Sequence, residues 1–231
     1  MMNNTIEIHI GCSGFYNKHW KVVFYPKDMP TKNWLTYYAT QLDSLELNST
    51  FYKFPTEKIL NNWYEKLPST FILSIKAPRI ITHLHKMKDC ESVINNFYDL
   101  CISSLKEKLA CLLFQFPPSF HYSIENLNLI TNQLRGNISS VVEFRHHSWW
   151  NEKVYETFRK HQLIFCDVSH PTMPQDIVFT SHTAYLRLHG SPIMFYSNYS
   201  DSYLKNILEE IIYKKNLEKI FIFFNNTASE A

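Results

Sequence analysis

The sequence predicts an α/β fold, a closed TIM (β/α)8 barrel with eight parallel strands. Short runs rich in β-branched and aromatic residues alternate with longer amphipathic stretches, which is typical of repeated βα units. Polar residues end almost every one of these runs. A chain of 231 residues has the length of one barrel domain, so a single domain over residues 1–231 is expected.

The elements follow one another in the order that a barrel requires. The predicted strands are 7–11, 44–49, 71–77, 110–116, 140–145, 163–168, 184–189 and 219–225. Each run is short and rich in β-branched or aromatic residues. The predicted helices, with apolar residues three and four apart, are 56–67, 90–106, 124–134, 152–161 and 203–215.

An open doubly wound sheet shares this alternation, but its ligand-binding residues cluster at one switch point. Here the polar strand-end residues are Glu46, Asn48, Lys76, Gln115, Glu143, Arg145, Asp167, Arg187, His189 and Asn225. A spacing of two, as in Glu143 and Arg145, places both side chains on the same face of a strand. No Gly-rich phosphate loop follows any predicted strand. The pattern therefore favours a closed barrel that opens into a polar pocket.

Composition limits the classes of protein that the chain can be. The formal net charge of +2 gives no bulk electrostatic reason to expect nucleic acid or an anionic membrane as partner. Residues 1–10 show no secretory signal, and no stretch approaches the roughly 20 apolar residues of a membrane span. We expect a cytoplasmic protein without membrane association. The five cysteines lie far apart and form no CxxC pair, so disulfides are not expected.

Three basic strand-end residues indicate the chemistry of the pocket. Charges inside a buried parallel sheet are costly unless they are paired or face a water-filled cleft, so one shared pocket is expected. Lys76, Arg145 and Arg187 would place three positive charges around it. Guanidinium groups capture phosphate or carboxylate in bidentate fashion. An anionic small molecule is the predicted ligand.

Other strand-end residues could move protons. Glu46 and Glu143 come from different predicted strands and could serve as general acid and base, as could His189 or Lys76. An alternative is that the two glutamates are counter-ions, and that the whole barrel mouth is a plug of salt bridges. No cofactor is predicted, although Glu46, Glu143, Asp167 and His189 include ligand types for a divalent metal. No diagnostic ligand spacing supports that metal site.

The segments after the strands are rich in aromatic and histidine residues. We predict that Tyr52, His83 and Trp149 join the strand-end residues Asn48, Gln115, Asp167 and Asn225 in binding substrate. Aromatic rings beside cations can stack on bases or sugars. The alternative is that these loops pack on one another and cover the barrel.

Several sequence blocks point to a known family. They include Gly11-Cys12-Ser13-Gly14, Glu46-Leu47-Asn48-Ser49-Thr50-Phe51-Tyr52, Val142-Glu143-Phe144-Arg145 and Arg187-Leu188-His189-Gly190. In these blocks the chain closely resembles the YecE-like proteins, also called the domain of unknown function 72 family. The resemblance implies a TIM barrel but supplies no reaction. It also implies a final helix, which we expect to be missing because the sequence stops at Ala231, soon after the eighth strand.

These patterns lead to one functional expectation and two alternatives. We expect an enzyme, a hydrolase or lyase, that acts on a phosphorylated or otherwise anionic small molecule. The first alternative is a nucleic-acid-binding protein without catalysis, and the second is a metal-dependent phosphoesterase. The sequence does not predict the oligomeric state.

Overall fold

In the computed structural model, which describes residues 6–214 and 216–228, eight parallel strands close into a barrel in chain order. They are β1 (Glu7–Ser13), β2 (Ser44–Leu47), β3 (Ile72–Lys76), β4 (Leu109–Gln115), β5 (Ser140–Glu143), β6 (Ile164–Ser169), β7 (Thr183–Leu188) and β8 (Lys219–Phe224). The strand β1 pairs with both β2 and β8, which closes the sheet. The predicted TIM barrel is confirmed.

Helices cover the outside of this barrel, and one short helix, α2 (Ser49–Tyr52), lies at its mouth. They are α1 (Trp34–Gln41), α2 (Ser49–Tyr52), α3 (Glu57–Lys66), α4 (Glu91–Leu105), α5 (Ile124–Gln133), α6 (Glu152–His161) and α7 (Asp201–Ile212). The five predicted helices are confirmed, and no helix follows β8 within residues 225–228. No helix of the two described ranges is long and apolar enough to span a membrane.

Two helices were not predicted. The segment of α1 is rich in aromatic and β-branched residues, which have low helix propensity, so packing rather than propensity decides its structure. The short helix α2 begins at Ser49, where the sequence predicted the end of a strand. That prediction was wrong because Asn48 already has αR backbone angles.

Side-chain caps set the starts of four helices. The side chains of Thr56, Ser123, Asn151 and Ser200 each accept a hydrogen bond from a backbone N–H in the first turn of the helix that follows. Such a cap stabilises a helix by about 1 kcal/mol, because it satisfies a donor that the helix itself leaves unpaired.

Within the strands, every second side chain faces the barrel interior. The lower part of the interior is apolar and contains Cys111, Leu113, Val141, Cys166, Tyr185, Phe221 and Phe223. In β1, Gly11 pairs with Ser44, and a Cβ atom at Gly11 would lie 2.2 Å from the Ser44 carbonyl oxygen. Only glycine therefore allows this approach of β1 to β2. Polar side chains fill the interior above this level, at the carboxyl ends of the strands.

Candidate functional site

Two carboxylates and two guanidinium groups lie together at the carboxyl end of the barrel. Arg187 donates from Nη2 to Glu46 Oε1 at 2.7 Å and from Nη1 to Glu143 Oε2 at 2.5 Å. Arg145 donates from Nε to Glu143 Oε1. We call these four side chains the ion-pair layer. They join β2, β5 and β7 across the barrel.

The members of the ion-pair layer differ in their access to solvent. The side chains of Glu46 and Glu143 are 0% exposed and that of Arg187 is 1% exposed, whereas that of Arg145 is 13% exposed. Arg145 lies two residues after Glu143, past the end of β5. Of these four residues, Arg145 has the greatest access to a ligand.

Both glutamates of the layer are ionised at neutral pH. Burial raises the pKa of Glu143, but the charges of Arg145 and Arg187 outweigh burial and leave the pKa well below the usual range. The pKa of Glu46 is also lowered, because Arg187 and hydrogen bonds outweigh the effect of burial. Neither side chain carries a proton to donate at pH 7. In this layer the glutamates have the geometry of counter-ions.

His189 lies against the same layer and is neutral. Burial lowers its pKa to about 3, although Glu143 acts in the opposite direction. Its Nδ1 lies 2.8 Å from Asn225 Nδ2, and its Nε2 lies 3.2 Å from Glu143 Oε1 and 3.1 Å from Arg145 Nη2. His189 therefore links Asn225 to the ion-pair layer.

Lys76 stands apart from the ion-pair layer. Its ammonium group donates to the Gln115 Oε1 atom at 3.0 Å and lies 4.5 Å from the centre of the Phe51 ring. It forms no salt bridge with any carboxylate in residues 6–214 and 216–228. Burial, aided by the charge of Arg187, lowers the pKa of Lys76 to about 8.

A cavity of about 930 Å³ opens above these groups. Eight of the predicted site residues line it: Asn48, Tyr52, Lys76, His83, Gln115, Arg145, Arg187 and Asn225. Asn48 Oδ1 is buried there, and no described residue forms a hydrogen bond with it. Burial and nearby cations lower the pKa of His83 to about 4, so its ring is neutral at pH 7. The structure thus brings eight of the predicted residues around one polar space.

Two loops that line this cavity were not predicted. The segment after β6 contributes His170, Pro171 and Thr172, and the segment after β7 contributes Pro192, Ile193, Met194 and Phe195. Loops that follow strands of a barrel always lie at this end, so the Gly190-Ser191-Pro192 turn signal could have identified the segment after β7.

Two predicted substrate-binding residues lie elsewhere. Asp167 is buried on the outer face of β6, where its Oδ1 accepts from the Val178 N–H at 2.7 Å. Its neighbours Cys166 and Val168 face the interior instead. Trp149 is 0% exposed, stacks on Phe144 at 4.0 Å, and donates from Nε1 to a backbone carbonyl. Their placement in the pocket was wrong, because strand alternation and core packing turn both side chains away from it.

The described residues contain no set of metal ligands. No group of three or more His, Cys, Asp or Glu side chains in residues 6–214 and 216–228 is arranged to hold a metal ion. Asp167 is one of the four candidate metal ligands named from the sequence. It lies on the outer face of β6 and not beside Glu46 and Glu143.

Curated relatives share part of the sequence. The chain is 28% identical to the UPF0759 protein YunF of Bacillus subtilis over 156 residues, which are 64% of this chain and 54% of YunF. It is 26% identical to the UPF0759 protein YecE of Escherichia coli over 110 residues, which are 47% of this chain and 40% of YecE. The matches thus span about half the length of these relatives.

Solved structures extend the similarity to almost the whole chain. A DUF72 family protein from Thermotoga maritima superimposes with a TM-score of 0.87 at 30% identity, covering 97% of this chain and 95% of that chain. A DUF72 family protein from Enterococcus faecalis gives 0.80 at 19% identity, covering 96% and 90%, and this second match shows the fold alone. A family model described as "Protein of unknown function DUF72" matches residues 9–231, and the chain therefore belongs to this family.

Proposed function

We propose that the protein is an enzyme, a hydrolase or lyase, that acts on a small anionic molecule bound in the cavity at the barrel mouth. A phosphate or carboxylate group is the anion that this pocket suits. One observation carries the proposal: the Lys76 ammonium faces the cavity and no carboxylate of the described residues neutralises it.

The charges around the cavity leave one positive charge without a counter-ion. Within the ion-pair layer, the carboxylates of Glu46 and Glu143 balance the guanidinium groups of Arg145 and Arg187. Protonated Lys76 adds a further charge, and its burial from water makes that charge costly. A bound anion would supply the missing counter-charge.

Arg145 offers a second contact to the same anion. Its Nε and Nη2 atoms lie against Glu143 and His189, but the partner of Nη1 is the Met194 sulfur at 3.9 Å. Sulfur is a weak acceptor, so an oxyanion would form a stronger hydrogen bond with Nη1. Lys76 and Arg145 together would hold the charged end of a substrate.

The remaining lining supports binding of a small molecule with polar groups. Asn48, His83, Gln115 and Asn225 supply neutral donors and acceptors, and the buried Asn48 Oδ1 has no hydrogen-bond partner among residues 6–214 and 216–228. Apolar side chains of the segment after β7 form the opposite wall. Pockets of enzymes combine an apolar wall with a few convergent polar groups in this way.

The pKa values favour Lys76 as the group that exchanges protons with the substrate. The pKa values of Glu46 and Glu143 are lowered, and that of His189 is about 3, so none of these three groups exchanges protons readily near pH 7. Lys76, with a pKa of about 8, can gain or lose a proton in this range. We therefore assign it the role of general acid and base.

Thermal unfolding with added anions tests the proposal. A ligand that binds the folded state raises the unfolding midpoint, and the shift grows with ligand concentration. We expect inorganic phosphate and sulfate to raise the midpoint of the wild-type protein. The shift should be lost in Lys76→Met and Arg145→Met. Lys160→Met removes one exposed charge from α6, far from the cavity, and should retain the shift.

Two results would count against the proposal. Equal midpoint shifts in all four proteins would show that anions act on the surface charge and not on the cavity. Binding of a single-stranded oligonucleotide that weakens steeply with salt, without any phosphate effect, would favour the nucleic-acid alternative.

A further inference from the structure

We propose that Lys76 is a covalent nucleophile, and that its ε-amine forms an imine with an anionic aldehyde or ketone held in the barrel-mouth cavity. The inference rests on the proposed function, because the anionic end must first bind beside the amine. It assigns the site a substrate class, small carbonyl compounds that carry a carboxylate or phosphate.

Two uncharged groups, an amide oxygen and an aromatic ring, hold the amine of Lys76 in place. Gln115 Nε2 donates to the Phe116 carbonyl at 2.7 Å, which orients the amide so that its Oε1 faces Lys76 Nζ at 3.0 Å. The Phe51 ring lies 4.5 Å from the same nitrogen. An amide oxygen accepts a hydrogen bond from either protonation state of the amine, whereas a carboxylate would hold it as ammonium.

The charged groups around Lys76 favour the neutral amine. Burial is the largest cause of its lowered pKa, and Arg187 and Arg145 act in the same direction, whereas Glu143 and Glu46 oppose them. His83, which lines the cavity beside it, is neutral. A lysine with a pKa of about 8 is neutral in about a quarter of the molecules at pH 7.5, against roughly one in a thousand for an ordinary lysine. The neutral amine is the nucleophilic form.

The chemistry needs no oxidant or reductant. The nitrogen lone pair forms a C–N bond to the carbonyl carbon, and the carbonyl π electrons move to oxygen, which takes a proton. The nitrogen gives up a proton, the hydroxyl leaves with a proton as water, and a protonated imine remains. The sum is amine, carbonyl compound and one proton giving the imine cation and water. Solvent reaches the cavity and supplies the proton.

The imine cation suits the electrostatics of the cavity. It carries one positive charge at the position of the Lys76 ammonium, so the ion-pair layer stays balanced after the reaction. An imine cation also withdraws electrons from the adjacent carbon, which makes a neighbouring C–H or C–C bond easier to break. This step favours a lyase over a hydrolase as the reaction class.

Reductive trapping tests the inference. The protein is incubated with glyoxylate and cyanoborohydride, and the modified lysines are identified by peptide mass spectrometry. We expect the carboxymethyl adduct to form on Lys76 at least about tenfold faster than on the exposed Lys160, with a rate that rises through pH 8. Modification of Lys76 no faster than Lys160 would overturn the inference.

A second probe separates this inference from the proposed function. Arg145→Met should slow the trapping of Lys76 by glyoxylate more than its trapping by the neutral probe acetaldehyde. Acetaldehyde responds only to the rise in the pKa of Lys76 that follows loss of the Arg145 charge, whereas glyoxylate also loses a partner for its carboxylate. Phosphate-dependent thermal shifts are measured on the same samples. Phosphate binding without selective trapping of Lys76 would refute the imine while leaving the anion site intact. Absence of both would refute the proposed function as well.

Discussion

Arg187 donates from Nη1 to Glu143 Oε2 at 2.5 Å, and both side chains are shielded from water at the centre of the barrel. The same guanidinium donates from Nη2 to Glu46 Oε1, so one arginine neutralises two buried carboxylates from different strands. Removing one partner from a buried ion pair leaves a charge without compensation, which is far more costly than removing the whole pair.

Replacing Arg187 therefore tests whether the ion-pair layer supports the fold. We expect Arg187→Met to lower the free energy of unfolding by about 3 to 5 kcal/mol, because two buried carboxylates lose their common partner. Urea unfolding at pH 7 measures the change.

A double variant is the control for this experiment. Arg187→Met combined with Glu46→Gln leaves Glu143 paired with Arg145 and removes the stranded charge, and we expect it to recover at least half of the lost stability. A double variant as unstable as Arg187→Met alone would show that lost packing, and not unpaired charge, is the cause.

Replacing Lys76 should stabilise the protein, whereas replacing Arg187 should destabilise it. The folded-state pKa of Lys76 lies below the ordinary value of 10.5, so folding penalises the charged form, fully below about pH 8 and less as the pH rises from there to 10.5. We expect Lys76→Met to raise the free energy of unfolding by about 1 to 3 kcal/mol at pH 7. The gain should shrink between pH 8 and 10.5. Thermal or urea unfolding across this range checks it.

Lys108 provides a matched control. It is also buried, but its ammonium donates to the Tyr64 and Leu67 carbonyls at 2.6 and 2.7 Å, at the carboxyl end of α3. Lys108→Met should lower stability, because two buried carbonyl oxygens lose their donor. A loss of stability in both Lys76→Met and Lys108→Met would show that Lys76 stabilises the fold and is not a ligand-binding residue.

Strand spacing was enough to predict which residues of the ion-pair layer face inward. Glu143 and Arg187 each occupy positions that alternate with apolar outer residues of their strands. Their partners could not be predicted, since Arg187 reaches Glu46 across the barrel over a sequence separation of 141 residues. That contact depends on the closure and stagger of the whole sheet.

Alternation failed at Asp167 for a physical reason. The strand β6 is buried on both faces, so burial gives no signal for which face a residue of this strand occupies. Trp149 was ambiguous for a related reason, since aromatic side chains of loops pack into the core or line a pocket with equal ease. Its stacking on Phe144 is a tertiary contact that no local pattern encodes.

The buried position of Asp167 yields its own prediction. Burial raises its pKa well above 3.8, so folding penalises its ionised form, and the penalty is absent below the ordinary pKa and grows as the pH rises toward the folded value. Asp167→Asn retains an acceptor for the Val178 N–H and cannot ionise. We expect little change in unfolding free energy at pH 4 and a gain of at least about 1 kcal/mol at pH 7.

The alanine variant is the comparison for that experiment. Asp167→Ala also removes the charge but leaves the Val178 N–H without its acceptor, so it should be less stable than Asp167→Asn at both pH values. If Asp167→Asn changed the free energy of unfolding by the same amount at pH 4 and pH 7, a raised pKa of Asp167 would be contradicted.

The pH dependence of anion affinity distinguishes the two cations of the cavity. Sulfate keeps its charge between pH 7 and 9, so any change in its affinity over this range comes from the protein. If the Lys76 ammonium is the unpaired charge that binds the anion, sulfate affinity should fall as the pH rises through about 8, by up to tenfold per pH unit. Calorimetric titration at three pH values measures the slope.

Two variants are the controls for this titration. Lys76→Met should bind sulfate weakly, with an affinity that does not change with pH, whereas Arg145→Met should bind sulfate weakly and keep the pH dependence. A flat profile in the wild-type protein would remove Lys76 from the anion site, and a slope that survives in Lys76→Met would place the titrating group elsewhere.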